Sequence, residues 1–350
     1  MAPRISGGDT LEIMTGWLEL AFHRLGIPSS FGSCLQFKAD EPSPTPGGII
    51  PLALPRIPAA AQCREALATY YATVHVLFPI LDPAVLDGIC EDVVNSCSAR
   101  MVHAGRLPEL LLFCLALVLG SVGNPAIESS DSDLATDYIG FCETMLGRVL
   151  GWGTMDAIRI VFLLALALRG RDKITSAWPL SGLCASLAQV LGLDRQKPHG
   201  RRSTEMVGEE VDQERRRVWW CIYSFEKLFA FELGRPSTIS DADHDQLEPT
   251  RVGLGGENDA DFFHIIISLA RTLSEVSKRS IGARTKEELA GREGLENAIR
   301  FKVATTAELI LLLMQWAEDL PKNLRPRSDL LCEPAEFPLA AFISVQYHSA

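Results

Sequence analysis

The 350-residue chain carries 33 Lys and Arg against 44 Asp and Glu, a formal net charge of −11, with 47% hydrophobic and 22% charged residues. Such a chain supports one large helical domain or two or three ordinary ones, and its apolar content rules out global disorder. The acidic balance opposes nonspecific nucleic-acid binding outside a local basic patch.

From the N-terminus, Asp9, Glu12 and Glu19 interrupt the apolar run that a secretory signal needs. Residues 9–25 are predicted to form an amphipathic helix, with Met14, Leu18, Ala21 and Leu25 on one face. Residues 39–58 are rich in proline and glycine and read as a linker or extended surface crossing. The chain therefore divides into a helix-and-linker segment, 1–58, and a body, 59–350, whose first helical turn takes Pro58.

The body reads as successive helices near 59–77, 83–96, 107–121, 134–149, 154–169, 176–191, 209–230, 259–278 and 286–318. Asp82 caps the second, Pro83 opens it, and Val85, Ile89 and Val93 recur at four-residue spacing. Thr285-x-x-Glu288 resembles a capping box for the last helix, whose apolar side includes Leu309, Leu312, Leu313 and Trp316. Residues 161–168 are almost wholly apolar, so that helix is internal. The apolar run at 110–123 is too short to span a bilayer and also reads as a buried helix; no membrane association is expected. The fold class is all-α, a large multi-helix domain without substantial β-sheet.

Few motifs carry chemistry. The nine cysteines (34, 63, 90, 97, 114, 142, 184, 221 and 332) include no CxxC pair. They read as free, mostly buried thiols in a reducing compartment, without a cysteine-rich zinc module. The acidic run 241–245, DADHD, lacks the glycine and glutamate of an EF-hand, since Gln246 and Val252 stand in those places. It reads as a capped, solvated turn, with Ser240-x-x-Asp243 as the cap. P-loop, HExxH and GxSxG motifs are absent, and GLGG at 253–256 lacks the setting of a dinucleotide loop. His75 lies in an apolar helix and reads as a core or interface residue. No catalytic residue, metal site or cofactor is expected.

The densest polar and aromatic signal is ERRRVWWCIYSFEKLFAFELGRP at 214–236. Val218, Ile222, Phe225 and Phe229 form a buried stripe, flanked by Trp219 and Trp220. Arg215, Arg216 and Arg217 precede it, with Glu214 and Asp212 as candidate partners. Residues 194–217 hold seven basic side chains against six acidic ones, a net of only +1, so structural arginines are favoured over a phosphate track. The stretch 194–208 looks exposed and reads as a loop or a regulatory insertion. Gly234 and Pro236 end the helix, and Arg235 between them is placed to meet the preceding carbonyls or an acidic side chain.

Residues 214–249 resemble the fungal-specific transcription factor domain, the helical regulatory region of fungal zinc-cluster transcription factors. The resemblance rests on Glu214, Arg216, Arg217, Trp219 and Trp220, on the Gly234, Arg235, Pro236 turn, and on the acidic stretch ending at Glu248 and Pro249. YYATVHVLFPIL at 70–81, LAQVLGLDR at 187–195 and LLLMQWAEDLP at 311–321 follow the same family in order. The resemblance implies a nuclear transcriptional regulator or co-regulator of metabolic or secondary-metabolite genes, with those residues as structural or regulatory elements. The six-cysteine zinc cluster usual ahead of this region has no counterpart here, so DNA association is expected to be indirect, through a protein partner or homo-oligomer. A small-molecule effector is also implied. The family's helical region commonly continues beyond a segment like 342–348, so the C-terminus is expected to be incomplete. Two alternatives stand beside this reading: a cytoplasmic interaction scaffold and a helical biosynthetic enzyme.

Overall fold

The computed structural model describes residues 21–22, 24–25, 49–50, 55–96, 102–103, 106–121, 134–196, 205–250, 261–326, 332 and 336–349. Helix dominates them: α1 (Ala60–Tyr70), continued by a π turn (Tyr71–His75), α2 (Pro83–Ser96), α3 (Leu107–Ser121), α4 (Leu134–Leu150) and α5 (Met155–Gly170). There follow α6 (Ile174–Val190), α7 (Glu205–Glu232), α8 (Phe262–Glu293), α9 (Leu295–Asp319) and α10 (Phe337–Ser349). The β structure among the described residues is one antiparallel pair, β1 (Ile49–Ile50) with β2 (Val102–His103). The fold is all-α.

Side-chain caps fix several helix starts. Asp82 Oδ1 accepts from the Ala84 amide at 2.9 Å, and Pro83 opens α2 where its missing N–H is not needed. Thr154 caps α5 by accepting from Ala157, and Asp261 caps α8 by accepting from His264. At the first helix the chain corrects expectation by one step: Ala59 is the cap, and Pro58 precedes it.

The core follows the apolar runs. In α3 every residue from Leu110 to Ser121 is buried, and in α5 every residue from Val161 to Leu168. A helix apolar on all sides has to lie inside. Accordingly α3 packs against α1, α4 and α5, α5 against α6, α7 against α6 and α8, and α8 against α9. Among the described residues no helix is long and apolar enough to cross a membrane. Where α1 meets α3 the backbones nearly touch, since a Cβ on Gly120 would stand 1.9 Å from the Ala66 carbonyl oxygen.

Three expectations need correction. The break expected near Thr285 falls at Gly294, because α8 continues to Glu293 and Gly294 takes φ 137°, a backbone that ends a helix and that side chains resist. Thr285 and Glu288 are thus interior helix residues. Val85 belongs to no buried stripe; it is exposed, while its neighbour Leu86 is buried with Ile89. Helix α10 was not anticipated: its Pro338 sits in the first turn, where proline is tolerated, and its apolar run carries little helical spacing. Of the 9–25 helix only Ala21, Phe22, Arg24 and Leu25 are described, with Leu25 exposed; the remainder lies outside the described residues.

Candidate functional site

Helix α7 is buried without interruption from Val218 to Ala230. The expected stripe of Val218, Ile222, Phe225 and Phe229 is inside, and Phe78, Phe162 and Phe225 meet edge to face. Trp219 and Trp220 are fully buried. Two charged residues, Glu226 and Lys227, share this apolar setting. Burial of a charge is tolerated only when its bonds are satisfied, and the segment after α7 supplies those bonds.

That segment turns back at Gly234. The Arg235 amide donates to Ala230 and the Gly234 amide to Phe231, with Gly234 at φ +60°, the left-handed cap that closes many helices. The sequence placed the Arg235 guanidinium against the preceding carbonyls or an acidic side chain; among the described residues it meets neither and lies 5.9 Å from the centre of the Trp178 ring. Pro236 then carries the chain out of the turn and is exposed.

Residues 237–250 form a strap pinned along α7. Glu226 accepts from the Ser237 hydroxyl at 2.6 Å and from the Thr238 amide at 2.6 Å and hydroxyl at 3.0 Å. Lys227 donates to the Ile239 carbonyl and lies 3.1 Å from Asp241 Oδ1. Asp241 also accepts from Tyr223 at 2.8 Å, Ser274 at 2.7 Å and Lys278 at 2.5 Å. Burial alone pushes this carboxyl up, but the hydrogen bonds from Lys278, Ser274 and Tyr223 and the Lys227 charge hold it well below the usual carboxylate range. Further along, Leu247 accepts from the Trp220 indole at 2.8 Å, and Gln246 donates to Leu193 and Arg195. The His244 ring sits among Trp219, Trp220 and Tyr223, with ring centres 5.3–5.5 Å apart.

Within the acidic run Asp241 is not solvated but is the hub joining α7, the strap and α8, whereas Asp243 and Asp245 are exposed and the Asp243 amide donates to the Ser240 carbonyl, as in a solvated turn. Among the described residues no group of three or more potential metal ligands converges. Asp194, placed by its sequence in an exposed loop, is also buried, and its carbonyl accepts from the Asp245 amide.

The three arginines go separate ways. Arg215 is buried and donates to the Gly192 carbonyl. Arg216 is half-buried. Arg217 is half-buried and lines a cavity of about 520 Å³ between α2, α3, α5 and the N-terminal half of α7. Glu214 lines it too, but its partner is Arg159 of α5, not a neighbouring arginine. An inward Arg215 and a cavity-facing Arg217 do not form a track for phosphates.

Several buried thiols are poor nucleophiles. Burial pushes Cys142 up to about 12 and raises Cys114, Cys184 and Cys221 as well, keeping them protonated at neutral pH. Of the cysteines among the described residues, Cys63, Cys90, Cys114, Cys142, Cys184 and Cys221 are buried. Tyr223, Glu226, Lys227 and Asp241, central to the brace, were not recognised together from the sequence. The available signal was two adjacent charges inside the buried stripe, which demand partners.

The sequence profile described as the fungal specific transcription factor domain matches residues 67–284, from α1 into α8. Over 326 residues the chain is 24% identical to "Transcription factor FBD3" of Gibberella moniliformis, covering 87% of this chain and 40% of that protein. It is 23% identical over 218 residues to "Protein STB5" of Saccharomyces cerevisiae, covering 61% of this chain and 29% of the relative. It is 27% identical over 181 residues to "Lactose regulatory protein LAC9" of Kluyveromyces lactis, covering 50% and 19%. The chain thus spans about two fifths or less of the curated relatives it matches here. No solved structure matches it. The family is one of transcription factors and not of enzymes. With the profile covering most of the chain and the Arg–Trp–Trp helix at its centre, the protein belongs to the fungal specific transcription factor domain family.

Proposed function

We propose that this protein is a transcriptional regulator or co-regulator that acts in the nucleus on metabolic or secondary-metabolite genes. Residues 59–350 are its regulatory body, and specific DNA is reached through a protein partner or a homo-oligomer. The observation that carries this reading is the family match over 67–284, which covers the brace built by α7 and its strap. The inward placement of Arg215 and the acidic net charge of −11 support indirect DNA contact, since a direct phosphate track needs a persistent basic surface.

Chromatin immunoprecipitation of the tagged chain, with candidate zinc-cluster partners present and then deleted, tests this. Focused occupancy that disappears with the partner is the expected result. Absence of occupancy under both conditions, with the chain recovered among cytoplasmic proteins, contradicts it.

A further inference from the structure

The cavity beside α7 is lined by apolar side chains and by six charged ones, Asp82, Asp156, Arg159, Glu210, Glu214 and Arg217, which are unevenly paired. Arg159 donates to the Ile80 carbonyl at 3.1 Å and to Asp156 at 3.0 Å, and it pairs with Glu214. Arg217, one turn beyond Glu214 on the same helix, lines the same space but has no hydrogen bond or ion pair among the described residues. A guanidinium stays charged at any physiological pH and presents a planar fork suited to a carboxylate. The walls beside it include Leu86, Ile89, Leu112 and Val218, all buried, and Val85 stands 59% exposed at the rim. A cavity of about 520 Å³ with this apolar wall beside Arg217 and an exposed valine next to it gives room for a small molecule with one apolar part.

We infer that this cavity binds a small molecule with an apolar body and one carboxylate, the carboxylate accepting from Arg217. The acids on the rim set the charge. Glu214 and Asp156 are engaged by Arg159, and Asp82 caps α2. Glu210 lines the cavity from an exposed position, so a second anionic group on the ligand meets repulsion there. The site therefore favours a monocarboxylate over a dicarboxylate or a phosphate. This inference deepens the proposed regulatory role by naming an effector class, yet its test uses no DNA, so the two readings fail separately.

The test is isothermal titration of the purified 350-residue chain with octanoate, octanamide and octanedioate. Octanoate is expected to bind saturably at one site, about tenfold or more tighter than the amide or the dianion, as a charge-assisted bond requires. Arg217→Gln should reduce octanoate to the level of octanamide and leave octanamide unchanged, while Val85→Trp should weaken octanoate and octanamide alike. Thermal unfolding of each variant reports its folding, and Arg217→Lys, expected to keep part of the preference, replaces Arg217→Gln if that variant is unfolded. The inference is overturned if the native chain shows no saturable octanoate binding, if octanoate and octanamide bind equally, or if a folded Arg217→Gln chain keeps the preference.

Discussion

Lys227 Nζ lies 3.1 Å from Asp241 Oδ1, with the lysine side chain 2% exposed and the aspartate 24%. The pair ties the buried centre of α7 to the strap, and Asp241 passes the tie to α8 through Ser274 and Lys278. Removing one partner of such a pair leaves an uncompensated charge in an apolar setting. Asp241→Asn should therefore cost about 2–5 kcal/mol in chemical denaturation. The double variant Lys227→Met, Asp241→Asn should cost less than the two single changes added together, because neither charge is then left without its partner. An Asn variant as stable as the native chain would show the pair to be idle.

Two groups titrate with opposite chemistry and in separate windows. The Asp241 carboxyl is held low, so its contribution is complete above an unfolded value of about 4 and is lost as pH falls below that. His75 is lowered to about 4, first by burial and then by the Arg217 charge. Its unfolded form takes up a proton near pH 6.5 and the folded form does not until about pH 4, so acidification across that interval favours unfolding. The expected loss is roughly 1–3 kcal/mol between pH 7.5 and 4.5, reduced for partial exposure. Denaturation of native and His75→Phe chains at both pH values checks it, the variant showing the smaller drop. Equal drops count against a neutral His75.

Trp219 is fully buried, so Trp219→Ala removes apolar contacts and leaves a cavity. A cost of about 3–5 kcal/mol is expected in equilibrium unfolding. Trp219→Phe, which keeps an aromatic ring, should cost less. An unchanged unfolding curve for the alanine variant would place the ring outside the core.

Gly120 allows the backbones of α1 and α3 to meet. Since an added Cβ would collide with the Ala66 carbonyl, Gly120→Ala must push the helices apart despite alanine's better helix propensity. A loss of about 1–3 kcal/mol or more is expected, as for overpacked cores. A stabilised variant, judged by its melting temperature, would contradict this close approach.

The helices were largely legible because their signals are local. The Asp82 cap and Pro83 locate the start of α2, and the apolar run 110–121 shows that α3 is internal. The α8–α9 boundary was not legible, since Thr285 and Glu288 serve equally well inside a helix and the φ that makes Gly294 a break leaves no mark in a charged run. The stripe from Val218 to Phe229 could be read from spacing, and its partners could not. Glu214 finds Arg159 at 55 positions' separation, and Lys227 finds Asp241 only after the chain reverses at Gly234. Such pairings are made by tertiary packing, which spacing along one helix does not encode.

The most direct test of the account is a tethered reporter: the 350-residue chain fused to a heterologous DNA-binding domain, its promoter output compared with the DNA-binding domain alone. If α7 and its strap brace a regulatory body, the native fusion changes transcription several-fold, and Asp241→Asn loses that effect in step with its measured loss of stability. A native fusion that is folded, nuclear and bound at the promoter yet leaves transcription unchanged would contradict the account.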